Sequence, residues 1–193
     1  FGRDLLVSTP DIYSGAIDVA YSHHERVDGK GYPRGLKGAA ISNYSRIISI
    51  VDAYDAITAE RCYAQAMTST EALKILFEEK DKHYDARLVD HFMRMIGLYP
   101  PGTLVELING EIALVLASNH KYQHLPKVIR ILDNHKQQCT EKILNLADID
   151  SGKLGEEYFI RKAHIDGSFG VRMRDYQEKG LQFSYNGPQR KAL

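Results

Sequence analysis

The sequence predicts a mainly α chain, with a helical region over residues 1–102 followed by a small antiparallel β appendage and tail over residues 103–193. Three observations carry that division. Apolar residues recur at helical spacing from Ile12 to Ala20, from Tyr44 to Ile57 and from Leu73 to Ile96. Pro100-Pro101-Gly102 then interrupts the pattern. Beyond it apolar residues alternate with polar ones around Asn109-Gly110, a strong hairpin-turn signal.

Composition narrows the function classes. The chain has 193 residues, 44% of them hydrophobic and 26% charged, which is ordinary globular usage with room for a real core. The 25 basic and 25 acidic residues cancel, so nothing favours DNA binding or polybasic membrane attachment, although a small anion needs only a local patch. No apolar run approaches the roughly 20 residues of a membrane span. Cys62 and Cys139 lie far apart without a CxxC, which excludes a zinc ribbon or redox pair and predicts free thiols in a reducing cytoplasm. The chain does not begin with methionine, and no signal peptide is legible. It reads as the later part of a longer protein.

Residues 1–8 read as a helix end with Leu5, Leu6 and Val7 on its apolar side. Thr9-Pro10-Asp11 predicts the start of a second helix, with Thr9 as N-cap and Pro10 at the first helical position. That helix should run to about residues 22–24 and deliver His23 and His24 at its C-terminal end. Residues 25–42 hold Gly29, Gly31, Pro33, Gly35 and Gly38, a density that predicts a loop. Arg26, Lys30, Arg34 and Lys37 make it basic, either as a solvated surface or as one that receives phosphate.

A helix is expected from about Asn43, its candidate cap, to Ala59, with Tyr44, Ile47, Ile48, Val51, Tyr54 and Ile57 as a broad apolar stripe. Asp52 and Asp55 share a face three residues apart, within an otherwise apolar run. They are either exposed acids or acids with a charged partner or metal. Thr68-Ser69-Thr70-Glu71 is a capping box for the next helix, Asp85 caps another, and Gly97 stops it. His83 and His91 read as ordinary surface residues. In the β region, strands are expected at Val105–Leu107, Ile112–Leu116, Val128–Leu132 and Ile143–Leu146. Tyr158-Phe159-Ile160 either pairs as a strand or begins a helix, and the tail after Gly180 reads as mobile.

The chemistry gathers at His23-His24-Glu25-Arg26-Val27-Asp28-Gly29-Lys30-Gly31-Tyr32-Pro33. Imidazoles and carboxylates are ligands for first-row transition metals. The glycines and Pro33 then impose a stiff, sharply turned loop directly after the histidine pair. Adjacent histidines are expected to point apart, and so to feed two metals rather than chelate one.

This run resembles the HHExxDGxGYP signature of HD-GYP domains, a subclass of the HD metal-dependent phosphohydrolases, at all eight defining positions. The resemblance covers roughly residues 1–102 and implies the later half of an HD-type helical bundle. It implies that His23, His24 and Asp52 are metal-ligating and catalytic, Asp52 falling in Asp52-Ala53-Tyr54-Asp55-Ala56-Ile57-Thr58. Iron or manganese in a di- or trinuclear centre is the implied cofactor. Glu25 and Asp28 become loop-shaping groups rather than ligands. Gly31, Tyr32, Pro33, Asp55 and Arg61 become substrate-binding residues.

The implied activity is hydrolysis of cyclic di-GMP to linear pGpG or GMP in the bacterial cytoplasm, with GGDEF-domain proteins and a second copy of the chain as further candidate partners. The alternative is a degenerate module that senses cyclic di-GMP or docks on a GGDEF-type cyclase. Two departures bear on that choice. Arg61-Cys62-Tyr63-Ala64 has alanine where the family carries a cation, with Arg46 and Lys30 as candidate substitutes. No His-Asp dipeptide occurs in the chain, so the remaining ligands are expected before Phe1, and the chain alone is expected to be inactive.

Overall fold

The computed structural model describes residues 2–59 and 66–185. These fall into two compact units, Phe1–Glu60 with Ala72–Phe92 and Arg61–Glu71 with Met93–Leu193. Helices dominate the first 96 residues: α1 (Gly2–Val7), α2 (Ser14–Ser22), α3 (Asn43–Thr58), α4 (Ser69–Glu78) and α5 (Ala86–Ile96). Five strands follow, β1 (Leu104–Leu107), β2 (Ile112–Ala117), β3 (Lys127–Leu132), β4 (Gln138–Asn145) and β5 (Ile160–His164), then the short α6 (Met173–Glu178). The expected helical region and antiparallel β extension are both present. Helices and a five-stranded antiparallel sheet occupy successive parts of the chain.

In the helical unit, α2 packs against α1 and α3. It begins at Ser14, four residues later than Pro10 at the first position required. Asp11 adopts φ 60°, the left-handed region, which stops a helix from starting there. The Thr9 hydroxyl donates to Leu5 O at 2.9 Å and so closes α1 instead of capping α2. Ser42, not Asn43, caps α3 by accepting from Ser45 N, while Asn43 Oδ1 accepts from Arg46. The capping box forms as expected, with the Glu71 carboxylate accepting from Thr68 N at 2.8 Å. Asp85 Oδ1 likewise accepts from the Arg87 and Leu88 amides at the start of α5.

The stripe on α3 is not core. Tyr44, Ile47, Ile48 and Val51 are exposed, and among the described residues of that helix only Ser45 and Ile50 are buried. Polar ties hold the unit instead. Asp18 on α2 accepts from the Ser42 and Ser45 hydroxyls and pairs with Arg34 at 3.2 Å. The Ser42 hydrogen bond holds its carboxyl below the usual range.

The sheet has the order β4-β3-β2-β1-β5, every neighbour antiparallel. Asn109-Gly110 turns β1 into β2 as expected, with Gly110 at φ 86° donating to Leu107 O. Both faces are covered. Leu104, Ile112, Leu114 and Ile129 belong to one buried cluster, which includes Tyr176 of α6. Val105, Ala113, Val115 and Val128 belong to another on the opposite face. Hence all six residues of β2, a continuous apolar run, are buried. At Tyr158–Ile160 the two readings divide: Tyr158 ends a 3-10 turn, and from Ile160 the chain pairs as β5 with the edge of β1. Of the tail expected to be mobile, residues 181–185 are described and residues 186–193 lie outside the described residues. Leu181 and Phe183 pack on the core, and Ser184 N donates to Leu116 O at 2.9 Å. Cys139 is a free thiol.

Candidate functional site

The site is built on the end of α2, the loop after it and the middle of α3. His23 is the C-cap of α2 and remains in helical conformation. Its Nδ1 lies 2.8 Å from Val19 O. That contact assigns the proton to Nδ1 and leaves Nε2 as the free lone pair, the arrangement a metal-binding histidine needs. The chain turns immediately after it, so His24 does not diverge as expected. The two rings lie 4.1 Å apart, tilted by 42°.

Asp52, from the third turn of α3, completes the cluster. One ligand atom from each of His23, His24 and Asp52 lies within 4.8 Å of the others. Two imidazoles and a carboxylate so placed suit a first-row transition metal. Asp55 is exposed one turn further along α3 and does not join the group. Arg61 and Ala64 lie outside the described residues.

The loop is held by two buried or half-buried acids. Glu25 is 4% exposed and accepts from Arg34 N at 2.6 Å and Leu36 N at 2.9 Å, so it ties both ends of the turn beyond Pro33. Asp28 accepts a two-pronged contact from Arg26 at 3.0 and 2.7 Å and another from Lys30 N, and these hold its carboxyl at about 2. Gly31 passes so close to the backbone of Glu25 and Arg26 that a Cβ there would stand 2.3 Å from Arg26 N. Tyr32 then lays its ring on His24, centroids 4.8 Å apart and planes 27° from parallel, while remaining 62% exposed. The Tyr32–Pro33 peptide is cis.

A cleft of about 280 Å³ opens over this cluster, lined by His23, His24, Arg26, Tyr32, Asp52 and His83 among others. His83, read from the sequence as an ordinary surface residue, thus lines this cleft. Val27 N donates to His83 O at 3.1 Å and Asp28 N to Lys82 O at 3.0 Å, which fastens residues 82–83 to the signature loop. Those bonds join positions 55 or so apart in sequence, and no local pattern signals them. His91 is exposed as expected.

The loop's cations are less available than its sequence suggests. Arg26 is committed to Asp28 and Arg34 to Asp18. Arg46 is bound to Asp85 at 2.7 Å and to Asn43. Lys30 makes no ion pair among the described residues.

Residues 2–88 match the HD domain family. The chain is 35% identical over 127 residues to the cyclic di-GMP phosphodiesterase PA4108 of Pseudomonas aeruginosa, an alignment covering 66% of this chain and 30% of that protein. It is 30% identical over 161 residues to the cyclic di-GMP phosphodiesterase PdeB of Borreliella burgdorferi, covering 83% and 42%. It is 52% identical over 66 residues to the 3'3'-cGAMP-specific phosphodiesterase 1 of Vibrio cholerae, covering 34% and 15%. The chain thus spans less than half the length of these curated relatives. No helix among the described residues is long and apolar enough to cross a membrane. Residues 2–88 of this chain therefore form an HD domain, and residues 23–33 carry the HD-GYP signature within it.

Proposed function

We propose that this chain is part of a metal-dependent phosphodiesterase that hydrolyses cyclic di-GMP to pGpG or GMP. The observation that carries the reading is the convergence of His23, His24 and Asp52 under the Gly31-Tyr32-Pro33 turn. On this reading His23 presents Nε2, with its proton held at Nδ1 by Val19 O, and Asp52 supplies the carboxylate oxygen. A bound di- or trinuclear centre of iron or manganese would supply Lewis acidity and a hydroxide nucleophile for in-line attack on phosphorus. Tyr32 positions His24 through one ring face and offers the other face and its hydroxyl to a purine. Lys30 and Arg61 give the phosphates donors. We place the catalytic part in residues 1–102, the extension in 103–193, and the site of action in the cytoplasm.

Two alternatives have specific support. Ala64, in place of a cation, favours a module that binds cyclic di-GMP or docks on a GGDEF-domain protein without turnover. The resemblance to a 3'3'-cGAMP-specific enzyme favours a mixed purine substrate. The test is turnover of cyclic di-GMP and 3'3'-cGAMP, with metal content measured, by the polypeptide that carries this chain and by its His23→Ala variant. We expect metal-dependent cleavage of cyclic di-GMP, reduced about a hundredfold or more in the variant. Undiminished cleavage by His23→Ala would remove the metal assignment, and metal without cleavage of either nucleotide would favour the binding module.

A further inference from the structure

The sheet unit carries a second concavity, with a cavity volume of about 470 Å³, none of whose residues belongs to the metal cluster. It lies where three strands end together. Ala117 and Asn145 both pair with Lys127, which brings the residue after β2, the start of β3 and the end of β4 side by side. Its walls are Ser118, Asn119, His120, Lys121, Lys127 and Asn145, with hydrogen-bond donors throughout and no acid. Lys121 and Lys127 join no ion pair among the described residues, whereas Lys80, Lys136 and Lys162 each do. The Lys121 ammonium stands 4.8 Å from the Tyr122 ring, and Asp150 is an acid whose charge reaches it.

Two further details point to a ligand. Asn119 Oδ1 already accepts from the Lys121 and Tyr122 amides, at 3.0 and 3.1 Å, which leaves its NH2 to donate elsewhere. Ser118 is only 7% exposed, yet its hydroxyl has no hydrogen-bond partner. A buried hydroxyl in that state is destabilising unless something supplies a partner.

We propose that this pocket binds a small phosphorylated molecule, its phosphate held by Lys121, Lys127 and the Ser118 hydroxyl. The volume falls in the range of small-ligand sites. Net-neutral composition hides the site, because its charge is local.

The experiment is a titration of the intact polypeptide with inorganic phosphate, followed by backbone amide shifts, with chloride at matched ionic strength as control. We expect saturable shifts at residues 118–121, 127 and 145 that chloride does not reproduce. Lys121→Gln/Lys127→Gln should weaken phosphate about tenfold or more. Ser118→Ala should weaken it less, without lowering thermal stability. Shifts that chloride reproduces, or binding unchanged in the double lysine variant, would overturn the assignment. Both lysines are exposed, so their replacement leaves folding intact and the result interpretable. Metal content and cyclic dinucleotide turnover are independent of this outcome.

Discussion

The two halves of the chain are held together by different physics. Of the 26 buried apolar residues among those described, only Ile41, Ile50, Ala72, Leu73, Leu76 and Val89 lie in the helical unit. Both contiguous buried clusters belong to the sheet unit. The helical unit relies on carboxylates that bind the signature loop and the helix ends: Asp18, Glu25, Asp28 and Asp85. The lesson is that a site made of polar side chains is framed by polar ties. These orient groups sharply but stabilise less than burial does.

Four measurements would break or sharpen this contrast. Leu114→Ala, at a fully buried position of β2, should cost about 2–5 kcal/mol in denaturant unfolding. A cost below about 1 kcal/mol would mean the sheet does not depend on its apolar core. Next in size, Asp52→Ala should lower metal affinity about a hundredfold or more, read by metal analysis, while leaving the sheet unit's melting unchanged. Equal loss of both would show that the two units do not report separately. Glu25→Ala strands the amides of Arg34 and Leu36 and should cost about 1–3 kcal/mol, with the Tyr32–His24 stack loosened in ring-proton spectra. Smallest of the substitutions, Ile48→Ala on the exposed α3 stripe should cost under about 1 kcal/mol. A loss of several kcal/mol would show that this face is covered in solution.

Acid provides a further comparison. The Arg26 contact holds Asp28 at about 2, below its ordinary 3.8. For Glu106, burial pushes the carboxyl up, but hydrogen bonds from Lys136 and His164 more than offset it and leave it at about 2, below 4.5. Both folded values are depressed. The stabilisation is therefore complete above the unfolded pKa of each group and is lost as pH falls from about 4 towards 2. Carboxyl-carbon titration at low salt and at about 1 M salt should raise the Asp28 value more than that of Glu106, because the loop pair is nearer to solvent. Equal shifts would contradict the difference in environment.

Much of the site was legible because its signals are local. His23, His24, Gly31, Tyr32 and Pro33 lie within eleven consecutive residues, and the capping box at Thr68–Glu71 spans four. Asp52 required the further motif Asp52–Thr58. Arg46 shows what spacing leaves open: it gives the face a residue occupies but not the partner, here Asp85, that the residue binds. The helix start at Thr9-Pro10 failed for a related reason: the Thr9 hydroxyl is used by the preceding helix.

What the sequence determined by itself is the order of helices and strands, the hairpin at Asn109-Gly110 and the run of ligand types before a stiff loop, because each depends on neighbours within a few residues. Only the tertiary structure brought His83 to the cleft of His23, His24 and Asp52, buried Glu25 beneath the loop, covered both faces of the sheet and left the α3 stripe open. Those outcomes rest on contacts between distant segments, such as Val27 with His83 and Asp18 with Ser42 and Ser45. Such contacts form only when the chain closes on itself, so no periodicity or spacing encodes them.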